Sequence, residues 1–239
     1  MLEKTRAIAL HTIKFGDSGI IVYVYTERFG RQTYLIKNAH SKKNQIKANI
    51  FCPLNLLELE VYYKQTSELQ KLKEAINYPV IQSIFSNPSK NAIAFFLAEV
   101  IYRSLREEVP NSPLFEFIFN AILLLDKKSS PDFHLVFLMK MLRFCGFSPT
   151  NNYTAKNSIF DLLNSEFVDS TPLHGHFIHS DYSSLFSQLI ENDFNTVDQL
   201  NFNRESRQLI LEKIVEYYRL HVEGLGQIKS LHVLKEVFD

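Results

Sequence analysis

The chain has 239 residues, no net formal charge, 46% hydrophobic residues and 22% charged residues, a balance that excludes a disordered or tail-like polypeptide. Its length allows one large domain or two smaller ones, each with its own core. The two cysteines, Cys52 and Cys145, exclude a disulfide framework or a four-cysteine zinc site and are expected to be small buried hydrophobes.

Residues 1 to about 78 have the composition of β-structure. Ala7–Ile13 is the first apolar run, and Ile20–Thr26, rich in β-branched and aromatic residues, is the second. Gly16–Gly19 and Arg28-Phe29-Gly30 punctuate the runs as turns, and Arg31–Lys37 follows as a third strand. Leu57, Leu59, Val61 and Tyr63 alternate with polar residues or tyrosine, the period-2 pattern of a half-buried strand. Leu69–Ile76 is a weaker fifth. Five short strands in this span suit an OB-type barrel, with an SH3-like barrel as the near alternative.

The period changes between about Asn77 and Ser89. Ile93, Phe96, Leu97, Val100, Ile101 and Leu105 form one helical stripe, bracketed by Pro88 and Pro110. Ser112-Pro113 marks the next helix start, with Ser112 as the capping hydroxyl. A third helix, Phe133–Phe144, is apolar nearly all round and stops at Cys145-Gly146, so it is expected at the centre of a helical core. An irregular insert covers about 147–181, with a short hairpin near Phe177. Helices over Tyr182–Ile190, Arg204–Val222 and, capped by Ser230, Leu231–Phe238 complete the chain. The expected fold class is therefore α+β: an OB-type barrel domain over 1–80 and an all-α helical domain over 81–239.

Zero net charge hides a polar distribution. Residues 1–47 hold nine basic and three acidic residues, a local +6 that the remainder balances. The segment Lys37–Lys47 is a positive loop between two strands, suited to neutralising phosphates. Arg6, Lys14, Arg31, Lys37, His40, Lys42, Lys43 and Lys47 are the candidate DNA-binding residues. Tyr23, Tyr25, Tyr34, Tyr62 and Tyr63 lie on neighbouring strands, where outward-facing members can stack bases and the others fill the barrel. The seven glycines assemble neither a Walker loop nor a dinucleotide fingerprint, and no nucleophile elbow is present, so neither a catalytic residue nor a cofactor is expected. His174, His176 and His179 form the one cluster with metal-ligand character, His174 and His176 on one face of a strand. Their spacing matches no familiar zinc motif, and no metal is expected there. No apolar run reaches the roughly 18 residues that cross a bilayer. The first residues lack the pattern of a signal peptide, so a cytoplasmic protein with no membrane partner is expected.

Several segments together resemble the RecO family. Thr5–Leu10, then Phe15-Gly16-Asp17-Ser18, then Tyr25-Thr26 with Gly30-Arg31 look like that family's start. Lys37-Asn38-Ala39-His40-Ser41-Lys42 is similar to its K-G-A-R stretch, with Asn38 in place of the glycine and His40 in place of the arginine. Phe51-Cys52-Pro53-Leu54 resembles the entry to its next strand, and Phe144–Pro149 the close of its central helix. Leu225–Phe238 is similar to its L-K-S-L-x-V-L tail. The resemblance implies an OB domain followed by a helical domain, binding of single- and double-stranded DNA, and annealing of complementary strands. It also implies association with RecR, recognition of the C-terminal tail of single-stranded-DNA-binding protein (SSB), nucleoid association, and help in loading the recombinase without enzymatic chemistry. Many members hold a zinc with four cysteines after the central helix; Thr150–Asp181 contains no cysteine, so that feature is not carried over. Two rival functions remain at this level: an OB-fold RNA-binding protein, and a metal-dependent hydrolase built on His174, His176 and His179.

Overall fold

The computed structural model describes every residue except 40–45, 107, 129, 201 and 239. By backbone contacts the chain divides into two compact units, Met1–Lys127 and Lys128–Asp239.

The first unit opens on a 14-residue strand, β1 (Leu2–Phe15). It pairs antiparallel with β2 (Gly19–Thr26) on one side and β4 (Leu56–Tyr62) on the other. β3 (Gly30–Ile36) adds to β2, and β5 (Lys71–Asn77) adds to β4. The order is β3-β2-β1-β4-β5, and a parallel bridge between Tyr34 and Gln70 brings the two edges together. The amide of Gln70 donates to the Thr33 carbonyl at 2.8 Å. The buried Gln70 side chain donates to the carbonyls of Lys64 and Ser67, while the enclosed Tyr34 hydroxyl opposite it has no hydrogen-bond partner. This is the five-stranded OB-type barrel. β1 begins earlier than the apolar run announced, because its polar start, Leu2–Arg6, is held by the β4 ladder.

The barrel interior is filled by one face of these strands, including Ala7, Ala9, Val22, Val24, Tyr34, Leu57, Leu59 and Val61. Ile8, Leu10, Tyr25 and Leu56 are equally buried but belong to the opposite face. Helices of the same unit cover that face: α1 (Ser83–Ser86), α2 (Pro88–Ser104) and α3 (Ser112–Lys127). The Tyr25 ring lies 6.2 Å from that of Phe115 on α3. Asn87 caps α2 by accepting from the Lys90 amide at 3.1 Å. Asn111, and not the expected Ser112, caps α3, accepting from the Leu114 amide at 3.1 Å. Ser112 is already the first helical residue, and Pro113 follows it where a missing N–H costs nothing. The buried Lys90 ammonium donates to Ser83 Oγ and the Asp126 carbonyl, tying the three helices together.

The second unit is centred on α4 (Phe133–Met141), eight of whose nine residues are buried. A 3₁₀ turn over Leu142–Cys145 extends it to Gly146, whose φ of +82° ends the helix in the left-handed conformation. α5 (Ser180–Glu191), α6 (Arg204–His221) and α7 (Ser230–Val237) follow. Ser230 is the first residue of α7, and Lys229 occupies the cap position expected for it. The insert is more ordered than the sequence suggested. β6 (Ile159–Asp161) and β7 (Glu166–Val168) make the hairpin, and β8 (Phe177–Ile178) is a two-residue edge strand on β6. The Tyr217 hydroxyl bonds to the Phe147 carbonyl at 2.9 Å and to Ser165 at 2.7 Å. His221 reaches the Leu162 carbonyl at 2.7 Å, so α6 braces the insert. Both cysteines are half-buried and not fully enclosed; burial pushes the Cys145 thiol up to about 11 and raises that of Cys52 as well.

Candidate nucleic-acid interface

The barrel separates the candidate cations by what holds them. Arg6 is spoken for. It is bidentate to Glu27, with Nε to Oε2 at 2.9 Å and Nη2 to Oε1 at 2.8 Å, and it also pairs with Glu116 of α3. Its guanidinium stands 5.2 and 5.0 Å from the ring centres of Phe115 and Phe119. The bond to Glu27 raises its pKa despite burial. A cation enclosed by two carboxylates and two rings is a strut between strand and helix, with little left for a phosphate.

Arg31 is a strut on one side only. Its Nη1 donates to the carbonyls of Tyr102 and Leu105 at 3.2 Å each, satisfying the last turn of α2. It lies 4.4 Å from the Tyr102 ring centre and 5.3 Å from that of Tyr23. Lys14 sits exposed on β1, just before the β1–β2 turn. Lys37 is exposed just beyond β3, and Lys47 is half-buried ahead of the 3₁₀ turn at Ala48–Phe51. Lys37 and Lys71 flank a groove of about 490 Å³ whose apolar wall includes Leu35, Tyr62, Leu69 and Leu72. His40, Lys42 and Lys43 lie outside the described residues.

The five tyrosines fall into distinct places. Tyr34 is fully enclosed and Tyr25 nearly so, which removes both as base-stacking surfaces. Tyr63 stacks on Phe29 at 4.0 Å. Tyr62 is half exposed. Tyr23 belongs to a cluster with His11 and Tyr102, with ring centres 4.8 to 6.0 Å apart. Sequence reading passed over His11 and Tyr102. His11 follows the bulge between Ala9 and His11 that interrupts the β1–β2 register, and Tyr102 lies near the end of an apolar helix. Partial burial of its ring against the neighbouring tyrosines lowers the pKa of His11; Glu99 opposes this, while Arg103 and Arg31 push the same way.

The rings of His174 and His176 stack with centres 6.0 Å apart, yet each of the three histidines in this segment pairs with its own carboxylate. His174 faces Asp161 at 3.3 Å, His176 bonds Glu216 at 2.7 Å, and His179 sits 3.2 Å from Asp181. His174 and His176 precede β8 and do not share a strand face with it. Three imidazoles with three different carboxylates form local pairs, and no group of three or more metal-ligating residues occurs among the described residues. Among the described residues no helix is long and apolar enough to cross a membrane.

A five-stranded OB-type barrel followed along the chain by helices defines an α+β class of protein. Two family models match the chain in order, recombination protein O N terminal over residues 1–78 and recombination protein O C terminal over 86–232. The chain is 42% identical to the DNA repair protein RecO of Bacteroides fragilis and 40% identical to that of Azobacteroides pseudotrichonymphae. It is 32% identical to the RecO of Porphyromonas gingivalis, and in all three comparisons both chains are covered over 100% of their length. The chain belongs to the RecO family of DNA repair and recombination proteins.

Proposed function

We propose that this protein is a non-enzymatic recombination mediator. It binds single- and double-stranded DNA through the basic rim of its barrel and anneals complementary strands. It acts in the cytoplasm at the nucleoid, with RecR and with the C-terminal tail of SSB, to help load the recombinase. The observation that carries this reading is full-length membership of the RecO family, on a barrel whose first 47 residues hold a local charge of +6. In this reading Lys14, Arg31, Lys37, His40, Lys42, Lys43 and Lys47 make the DNA contact. Arg6 is replaced as a contact by its role between Glu27 and Glu116. The division into a barrel domain over 1–80 and a helical domain over 81–239 is supported by the family-model bounds, while backbone contacts group α1–α3 with the barrel.

Phosphate contacts carry no sequence information, which suits a mediator that works anywhere on a chromosome. Each one lost lowers the slope of log affinity against log salt by about 0.7 for single strands. Changing Lys42 and Lys43 to Ala together is expected to flatten that slope by up to about 1.4, equally for unrelated sequences. A folded double variant with an unchanged slope refutes this loop as the contact. Co-precipitation with RecR and SSB from defined mixtures tests the partner assignments.

A further inference from the structure

Beside the ring cluster of His11, Tyr23 and Tyr102 the first unit has a cleft of about 510 Å³, within the range of about 300–1,000 Å³ typical of ligand sites. Arg31 and Thr33 of β3 form one wall; Tyr102, Arg103, Arg106 and Glu108 form the other. We infer that this cleft is a second contact for a single-stranded polynucleotide, its arginines on the phosphates and the adjoining rings on a base. The inference rests on the DNA-binding reading above and adds to it residues outside the basic loop.

Four observations support it. A helix C-terminus repels anions through its unsatisfied carbonyls. Here Arg31 covers two of those carbonyls at the end of α2, so the repulsive end of the helix is neutralised where the cleft begins. Both of those bonds use Nη1 alone, while a guanidinium has five donors in a planar fork. The cations are all arginine, the residue that pairs with phosphate in a fork and stacks on rings. The cleft is also held open by backbone. Gly30, at φ +63°, lies so close to Val109 that an added Cβ would sit 2.6 Å from the Val109 oxygen, which seats the Glu108-Val109 backbone against the β2–β3 turn. A base finds exposed His11 with half-buried Tyr23 and Tyr102 to stack against, next to planar guanidinium forks suited to phosphate.

The test uses the full chain and fluorescence anisotropy, with labelled oligo-dT and an abasic oligomer of equal length as probes. Arg106→Glu is expected to weaken both probes about tenfold at low salt, with Arg106→Lys restoring most of the loss. His11→Ala is expected to weaken oligo-dT at least about fivefold and to leave the abasic oligomer unchanged. Arg106 and His11 are exposed, so thermal melts of the variants should overlay the wild type. Wild-type affinity in all variants overturns the cleft while leaving the basic loop standing. Failure of the wild type to bind either probe overturns the DNA-binding reading itself. Retention of oligo-dT by Arg106→Glu with loss of an oligo-aspartate peptide overturns the inference in favour of a carboxylate site.

Discussion

Arg6 tests whether the barrel's cations have been assigned correctly. Replacing it with Ala removes a bidentate bond to Glu27, a pair with Glu116 and two ring contacts. The three side chains are 31–45% exposed, so the ion pairs are screened and each contributes no more than about 1 kcal/mol. The ring contacts add about 0.5–1 kcal/mol each. The expected loss is about 2 kcal/mol, a drop of about 4–8 °C in the melting transition. Arg6→Lys keeps the charge but loses the fork and should cost about half as much. The pH dependence has a definite sign. Bonding to Arg6 holds the Glu27 carboxyl below its ordinary value of 4.5. The stabilisation is therefore present above that value and lost as pH falls through the lowered one, so the gap between wild type and Arg6→Ala should close in acid. Differential scanning calorimetry at several pH values measures this, and anisotropy measures DNA binding in parallel. An Arg6→Ala variant that melts with the wild type but shows a flatter salt slope would refute the strut and restore Arg6 to the DNA surface.

Two further outcomes follow from the packing. Burial lowers the pKa of His134 from 6.5 to about 3, and Arg207 pushes the same way. The unfolded chain therefore takes up a proton there between those values that the folded chain refuses, and stability falls as pH drops from 6.5 toward 3. In urea titrations His134→Leu should remove up to about 1.4 kcal/mol per pH unit of that slope, and an unchanged slope contradicts neutral burial. Gly30→Ala should destabilise the protein by at least about 2 kcal/mol, since it forces a left-handed backbone on a residue with a Cβ and drives that atom into Val109. A melt within a degree of the wild type would show that the Val109 backbone moves away freely.

The strands were legible because β-branched runs and glycine turns are local signals, and Leu57, Leu59 and Val61 do face the core as their alternation required. The start of β1 was not, because Leu2–Arg6 is strand only by virtue of β4, more than fifty residues later. The strands of the insert are two or three residues long, too short to show a period. The candidate site was legible as a charge excess but not as a geometry. Arg6 and Arg31 read alike in sequence; the carboxylates of Glu27 and Glu116 and the carbonyls of Tyr102 and Leu105 that separate their roles come from 21 to 110 residues away. His11 turns outward at a bulge, a feature its neighbours' composition does not announce.

The apolar outer face of β1, made of Ile8 and Leu10 and continued by Tyr25 and Leu56, also bears on synthesis at the ribosome. The chain emerges from its N-terminus, so all five strands are available before α2 and α3 exist to cover that face. At about 5–20 residues per second, the stretch from the end of β5 to the end of α3 takes roughly 2–10 s. During that interval the nascent barrel presents a greasy stripe, and a chaperone or the ribosome surface is the natural shelter for it. Codons that slow translation between β5 and α3 should lower the soluble yield of this protein, whereas slow codons after α3 should be tolerated.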